Sequence, residues 1–190
     1  MYEEFYGFKE RPFALVPDPS FLYLSRGHGT ALTLLRYSIV NRQGFTVVSG
    51  EVGSGKTTLV NRLLDELKTG VTVGLINFTT RTFGDMAEWI MMAYGLPYKN
   101  KGKVELYEDF VQFMIREYAA GRPVVLIVDE AQNLGIRGLE EIRMLSNVNA
   151  QKEYLLHVIL VGQPELRALL QTPQLRQLTQ RVSVAFHLKP

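Results

Sequence analysis

A chain of 190 residues, 46% of them hydrophobic, has enough apolar side chain for one full core, which excludes a disordered polymer. Its 21 basic and 19 acidic residues leave a net charge of +2, which gives no support for a large nucleic-acid footprint but is compatible with a small basic patch. The absence of cysteine excludes disulfides and thiolate metal sites, and no run of about 18 apolar residues offers a membrane span.

The N-terminus, Met1-Tyr2-Glu3-Glu4-Phe5, is acidic and aromatic, unlike a secretory signal, so a cytosolic protein or a cytosolic domain is expected. Residues 1–29 are rich in aromatics, proline and glycine and read as an irregular arm packed on a core formed by 30–190. A helix is predicted over 30–42 with Thr30 as its N-cap. Phe45-Thr46-Val47-Val48-Ser49 is short, β-branched and apolar, as a buried strand is. Gly50-Glu51-Val52-Gly53-Ser54-Gly55-Lys56-Thr57 follows, with Thr58 behind it. This run fits G-x-x-x-x-G-K-[ST], the loop that wraps nucleotide phosphates. Residues 58–67 carry apolar side chains at 59, 60, 63, 64 and 67 and read as the helix the loop opens.

A second strand is predicted over 71–78. A helix over 82–94 should be capped by Thr82 and end near Gly95-Leu96-Pro97. Lys99 to Lys103 form a basic loop, and 104–120 read as another helix stopped by Gly121. Pro123 to Val128 is a continuous apolar run, as in a parallel strand covered on both faces, and it ends in Asp129-Glu130. Beyond it come a helix over 138–149, a strand over 154–161, short helices over 164–170 and 174–181, and a last strand over 183–188. No internal repeat is present. Strands alternating with helices five times predict an α/β fold: a five-stranded parallel sheet of the P-loop NTPase type with helices on both faces. Ligands in such sheets bind beyond the carboxyl ends of the strands. The glycine turn, Asn77, Asp129-Glu130 and Gln163 all lie just past predicted strand ends and should converge.

The chemistry follows from the residue types. Backbone N–H groups of the glycine turn hold anionic oxygens, and the helix N-terminus faces the same charge. Gly50, Gly53 and Gly55 fit a turn that needs positive φ and close backbone approach. Lys56 is expected to reach the β- and γ-phosphates, with Mg²⁺ held by the Thr57 hydroxyl and Asp129. Glu130 is a candidate to polarise the attacking water, which favours hydrolysis over transfer to a substrate hydroxyl. Its simpler alternative is a carboxylate complementing a helix dipole. No guanine-reading N-K-x-D segment is present, which favours ATP. His28, His157 and His187 share no metal-ligand spacing and are read as structural, His28 as a capping or packing residue.

Several segments together carry a family resemblance: Tyr6-Gly7-Phe8, Pro17-Asp18-Pro19, the glycine turn, Asp129-Glu130-Ala131-Gln132-Asn133-Leu134, Leu139-Glu140-Glu141-Ile142-Arg143-Met144-Leu145-Ser146-Asn147 and Leu160-Val161-Gly162-Gln163-Pro164-Glu165-Leu166. With these the chain resembles the AAA+ ATPases of the ExeA-like group, also called general secretion pathway protein A. The resemblance implies Mg-ATP hydrolysis by a homo-oligomer that powers or gates assembly of an envelope or secretion machine. It casts Gln163 as the sensor of the γ-phosphate and Asn77 as the polar partner that holds Glu130 out of action. It casts Arg181, with Arg176 second, as an arginine finger acting on a neighbouring subunit's nucleotide. Phe13 and Pro12 would wall the adenine, or equally serve as core anchors of the arm. The family's helical lid is absent from a chain that stops at Pro190, so weak nucleotide binding and slow turnover are expected of it alone. In the ExeA-like group a membrane helix follows the lid in some members, which makes the cytosolic domain of an inner-membrane protein one expectation. Two other functions stay open. One is a DNA-associated, transposition-type regulator contacting phosphates through Lys99, Lys101, Lys103 and Arg137. The other is a nucleotide-gated binding module with little hydrolysis.

Overall fold

The computed structural model describes residues 2–8, 24–67, 70–77, 85–150 and 153–189. In chain order the elements are helix α1 (Tyr2–Tyr6), α2 (Arg26–Val40), strand β1 (Phe45–Gly50), α3 (Lys56–Glu66), β2 (Thr72–Asn77), α4 (Met86–Ala93), α5 (Lys103–Ala119) and β3 (Val124–Asp129). A 3₁₀ turn (Ala131–Leu134) then leads into α6 (Gly135–Leu145). After it come β4 (Asn149–Ala150), β5 (Glu153–Tyr154), β6 (Leu156–Gly162), α7 (Pro164–Leu170), a second 3₁₀ turn (Pro173–Leu175), α8 (Arg176–Thr179) and β7 (Val182–Leu188).

Five strands form one sheet in the order β2–β3–β6–β1–β7, and every neighbouring pair is parallel. This is the predicted five-stranded architecture. The central strands β1, β3 and β6 are buried along their whole length, which is why they read as largely apolar, β3 as an unbroken run over 124–128. Alternate residues feed two cores. Val124, Leu126 and Val128 of β3 pack with α4, α5, α6 and α7, while Val125 and Ile127 pack with α2 and α3. Each such buried side chain contributes about 1.5–3 kcal/mol of apolar transfer. Helices therefore cover both faces, and the loops at the carboxyl ends of β1, β2, β3 and β6 open on one edge.

Boundaries differ from the sequence expectation where tertiary contacts override local signals. The N-cap of α2 is Ser25, whose hydroxyl accepts from the His28 N–H; Thr30 lies inside the helix and donates to the Arg26 carbonyl. Gly27 and Gly29 read as breakers, yet Ala31, Leu32, Leu35 and Ile39 fix the helix on the sheet. The cap of α4 is Asp85, which accepts from the Ala87 N–H at 3.1 Å, whereas Thr82 falls outside the described residues. The helix expected over 138–149 starts at Gly135 and stops at Leu145, and Asn149–Ala150 pair antiparallel with Glu153–Tyr154 as a small hairpin. The helix expected over 174–181 divides into a 3₁₀ turn and the four-residue α8, both ahead of Arg181.

Candidate active site at the glycine turn

The turn between β1 and α3 has the backbone its glycines allow. Gly53 and Gly55 have φ of 79° and 81°, conformations that L side chains rarely adopt. Gly50 is needed for a different reason: a Cβ there would meet the Ser54 hydroxyl at 2.6 Å and the Leu188 carbonyl at 2.8 Å. The Lys56 side chain is buried and folds back so that its ammonium donates to the carbonyls of Gly50 (2.8 Å) and Glu51 (2.7 Å). Among the described residues no carboxylate pairs with it. A buried cation held by carbonyl dipoles alone is poised for an anion.

β3 delivers Asp129 to the opposite wall. One of its carboxylate oxygens accepts from the Thr57 hydroxyl at 2.9 Å and the other from the Glu130 N–H at 2.9 Å. Glu130 follows with φ 51°, a left-handed conformation that costs a non-glycine residue about 1–3 kcal/mol. That turn redirects the chain, and the Glu130 carboxylate accepts from the side-chain amides of Gln132 (2.6 Å) and Gln163 (3.0 Å). A cavity of about 320 Å³ is lined by Val52, Gly53, Gly55, Lys56, Thr57, Thr58, Glu130 and Gln163. Its volume falls in the range of small-molecule sites.

The structure thus brings Lys56, Thr57, Asp129, Glu130 and Gln163 together. Asn77 is exposed and in register with Asp129 at the neighbouring strand end. No hydrogen bond among the described residues joins Asn77 to Glu130, whose carboxylate accepts instead from Gln132 and Gln163. Phe13 and Pro12 lie outside the described residues. Arg181 sits at the other edge of the sheet: its carbonyl accepts from the N–H of Phe45, the first residue of β1, about 16 Å of strand from the glycine turn. Its guanidinium donates to Asn147 Oδ1 at 2.7 Å and to the Arg143 carbonyl at 3.5 Å. Arg176 is exposed at the start of α8.

Two residues were not singled out from sequence as part of this site. Gln132 joins Glu130 to the backbone of Gln163, whose N–H it accepts at 3.1 Å. His28 braces the glycine turn from behind. Its Nε2–H donates to the Ser54 carbonyl at 3.0 Å and its Nδ1 accepts from the Ser25 hydroxyl at 2.7 Å. The carbonyl cannot donate, which fixes the tautomer. Their sequence signals were, for Gln132, its place in the Asp129–Leu134 segment beside the Asp-Glu pair and, for His28, proximity to the predicted arm-helix junction. His157 and His187 are structural, as read: His157 meets Gln43 and Ser38, and His187 meets Ser49.

The donor set fits a magnesium nucleotide. Hard oxygen ligands from Thr57 and Asp129 stand side by side, and a divalent ion that keeps several waters and phosphate oxygens needs no more protein ligands than these. Among the described residues no cluster of three or more His, Cys, Asp or Glu could hold a metal ion.

The family model described as "AAA domain" matches residues 40–170. General secretion pathway protein A of Aeromonas hydrophila is 40% identical over 191 aligned residues, 100% of this chain and 35% of that protein, so the chain spans about a third of this relative's length. Among solved structures, the Aeropyrum pernix ORC2 protein in ADPNP–ADP complexes superposes with a TM-score of 0.67 at 17% identity, covering 95% of this chain and 52% of that one. Cdc6p from Pyrobaculum aerophilum superposes with a TM-score of 0.62 at 21% identity, covering 92% and 50%. At such identities these likenesses show the fold. The chain belongs to the AAA domain family of nucleotide-binding P-loop ATPases, in the group that includes general secretion pathway protein A. Among the described residues no helix is long and apolar enough to cross a membrane.

Proposed function

We propose that the chain binds ATP with Mg²⁺ at the glycine turn and hydrolyses it, and that an oligomer of such chains uses this cycle in assembling an envelope or secretion machine on the cytosolic side. The observation that carries the hydrolytic part is that Glu130 and Gln163 line the same cavity as Lys56 and Thr57. A carboxylate there can take a proton from water. As the water oxygen bonds to the γ-phosphorus, the bond to the bridging oxygen breaks, and ADP and phosphate remain. Lys56 exchanges the carbonyls of Gly50 and Glu51 for phosphate oxygens, and the turn's N–H groups hold the rest of the charge. Mg²⁺, held by Thr57 and Asp129, would draw off charge that develops on the phosphates. The Gln163 amide, which donates to Glu130 at 3.0 Å, would help orient that water.

The oligomeric part is read from Arg181, which lies the length of β1 from its own chain's glycine turn and would act only on a neighbour's nucleotide. The secretion partner rests on the name of the 40% identical relative. The DNA-associated reading is weakened by pairing of Lys101, Lys103 and Arg137 among its proposed contacts: Lys101 meets Asp109 and Glu105, Lys103 meets Asp85 at 2.7 Å, and Arg137 meets Glu141 at 3.2 Å. Lys56→Ala tests the binding step. ATP affinity is expected to fall at least tenfold, about 1.4 kcal/mol, with an unchanged melting midpoint. Full retention of affinity would overturn the proposal.

A further inference from the structure

We infer that Gln132 is a positioning residue that locks the Glu130 carboxylate and the Gln163 backbone into one catalytic unit. Gln132 does not line the nucleotide cavity; it stands behind the two residues that do. Its amide spans them in both senses. The Nε2 group donates to Glu130 Oε2 at 2.6 Å, and Oε1 accepts from the Gln163 N–H at 3.1 Å. The Gln163 side chain closes the triangle by donating to the same Glu130 oxygen at 3.0 Å. A primary amide can donate to a carboxylate through its NH₂ and accept from a backbone N–H through its carbonyl at the same time.

Two backbone features exist at the positions this clamp requires. Glu130 takes a left-handed φ of 51°, and the following 3₁₀ turn places Gln132 back beside the carboxylate two residues earlier. Gly162, the last residue of β6, leaves the space into which Oε1 reaches: a Cβ there would lie 2.5 Å from it. A side chain at 162 would crowd the Gln132 amide that holds Gln163, and would also meet Leu166 Cδ2 at 3.0 Å. With the clamp in place, the base and the amide beside it approach the attacking water at a fixed angle. Its loss leaves Glu130 held by Gln163 alone, and small misplacement of a reacting group can cost about a hundredfold in rate.

The inference rests on the hydrolytic reading, and its test separates the two. ATP turnover, ATP affinity, melting midpoint and hydrogen exchange at the Gln163 N–H are measured for the full chain and three variants. Gln132→Met keeps length and apolar stem but neither hydrogen bond. Gln132→Glu keeps the acceptor for the Gln163 N–H and sets a second carboxylate against Glu130. Gly162→Ala keeps Gln132 and displaces it. We expect kcat to fall tenfold to a hundredfold in all three with ATP affinity within about twofold of wild type. Exchange at Gln163 should accelerate in Gln132→Met and Gly162→Ala and stay slow in Gln132→Glu. An unchanged kcat in Gln132→Met, or a kcat loss that tracks affinity and melting midpoint together, would overturn the inference. A wild-type chain with no turnover would instead overturn the hydrolytic reading and the catalytic half of this inference. Unaltered exchange at Gln163 in Gln132→Met would then remove the clamp as well.

Discussion

His28 shows how one residue outside the motif shapes it. By donating to the Ser54 carbonyl it holds the Ser54–Gly55 peptide in one orientation, which would leave the Gly55 N–H for a phosphate oxygen. The contact is close enough that a Cβ on Gly55 would meet Nε2 at 2.8 Å. A net hydrogen bond is worth about 1 kcal/mol, so His28→Ala should weaken ATP binding about fivefold, read by equilibrium titration, while His28→Gln restores part of the loss. Equal affinity in His28→Ala and wild type would remove the brace from the account. The strain at Glu130 belongs to the same scale. A positive φ at a glutamate is tolerated because the hydrogen bonds from Gln132 and Gln163 over-determine its place.

At the scale of elements, His157 pins α2 to β6. Its Nδ1–H donates to the Gln43 carbonyl just after α2, and its Nε2 faces the Ser38 hydroxyl at 3.2 Å on that helix. Burial among apolar neighbours pushes its pKa down to about 4, against the opposing pull of the Gln43 carbonyl. The folded chain therefore keeps this imidazole neutral where the unfolded chain, near 6.5, protonates it. Below pH 6.5 the unfolded state binds more protons, so stability falls as pH drops from 6.5 to about 4, on the order of 3 kcal/mol in full. Denaturant titrations of wild type and His157→Phe at pH 7 and pH 4.5 should show the smaller loss in the variant. Parallel losses would contradict this. The elements were legible in unequal measure. β1, β3 and β6 declared themselves through short, mostly apolar, β-branched stretches, unbroken in Val124-Val125-Leu126-Ile127-Val128, because both faces of each strand are covered. The start of α2 did not, since Gly27 and Gly29 argue locally against a helix that Leu32, Leu35 and Ile39 secure from a distance.

At the scale of the whole molecule, sheet order does most to define the site. Placing β6 between β3 and β1 sets Gln163 between Asp129-Glu130 and the glycine turn, so three segments distant in sequence close on one cavity. The glycine turn and the Asp-Glu pair were readable as motifs because their spacing is local. The Gln132–Gly162 contact was not, because it depends on a backbone reversal at Glu130 and on which strand lies beside β3. The same topology separates Arg181 from its own chain's site by the length of β1, and the guanidinium is spent on Asn147 and Arg143. If a neighbouring subunit's γ-phosphate recruits it, Arg181→Ala should lower turnover in the assembled form by about a thousandfold and leave ATP affinity nearly intact. An active oligomer with unchanged turnover would take Arg181 out of the mechanism.

The central claim is that one cavity both grips ATP and readies water to cleave it. The direct measurement is the nucleotide recovered from Glu130→Gln after incubation with ATP and Mg²⁺, alongside its affinity. The account predicts wild-type affinity, with the bound nucleotide recovered as ATP and turnover at least a hundredfold down. ADP formed at the wild-type rate would contradict it.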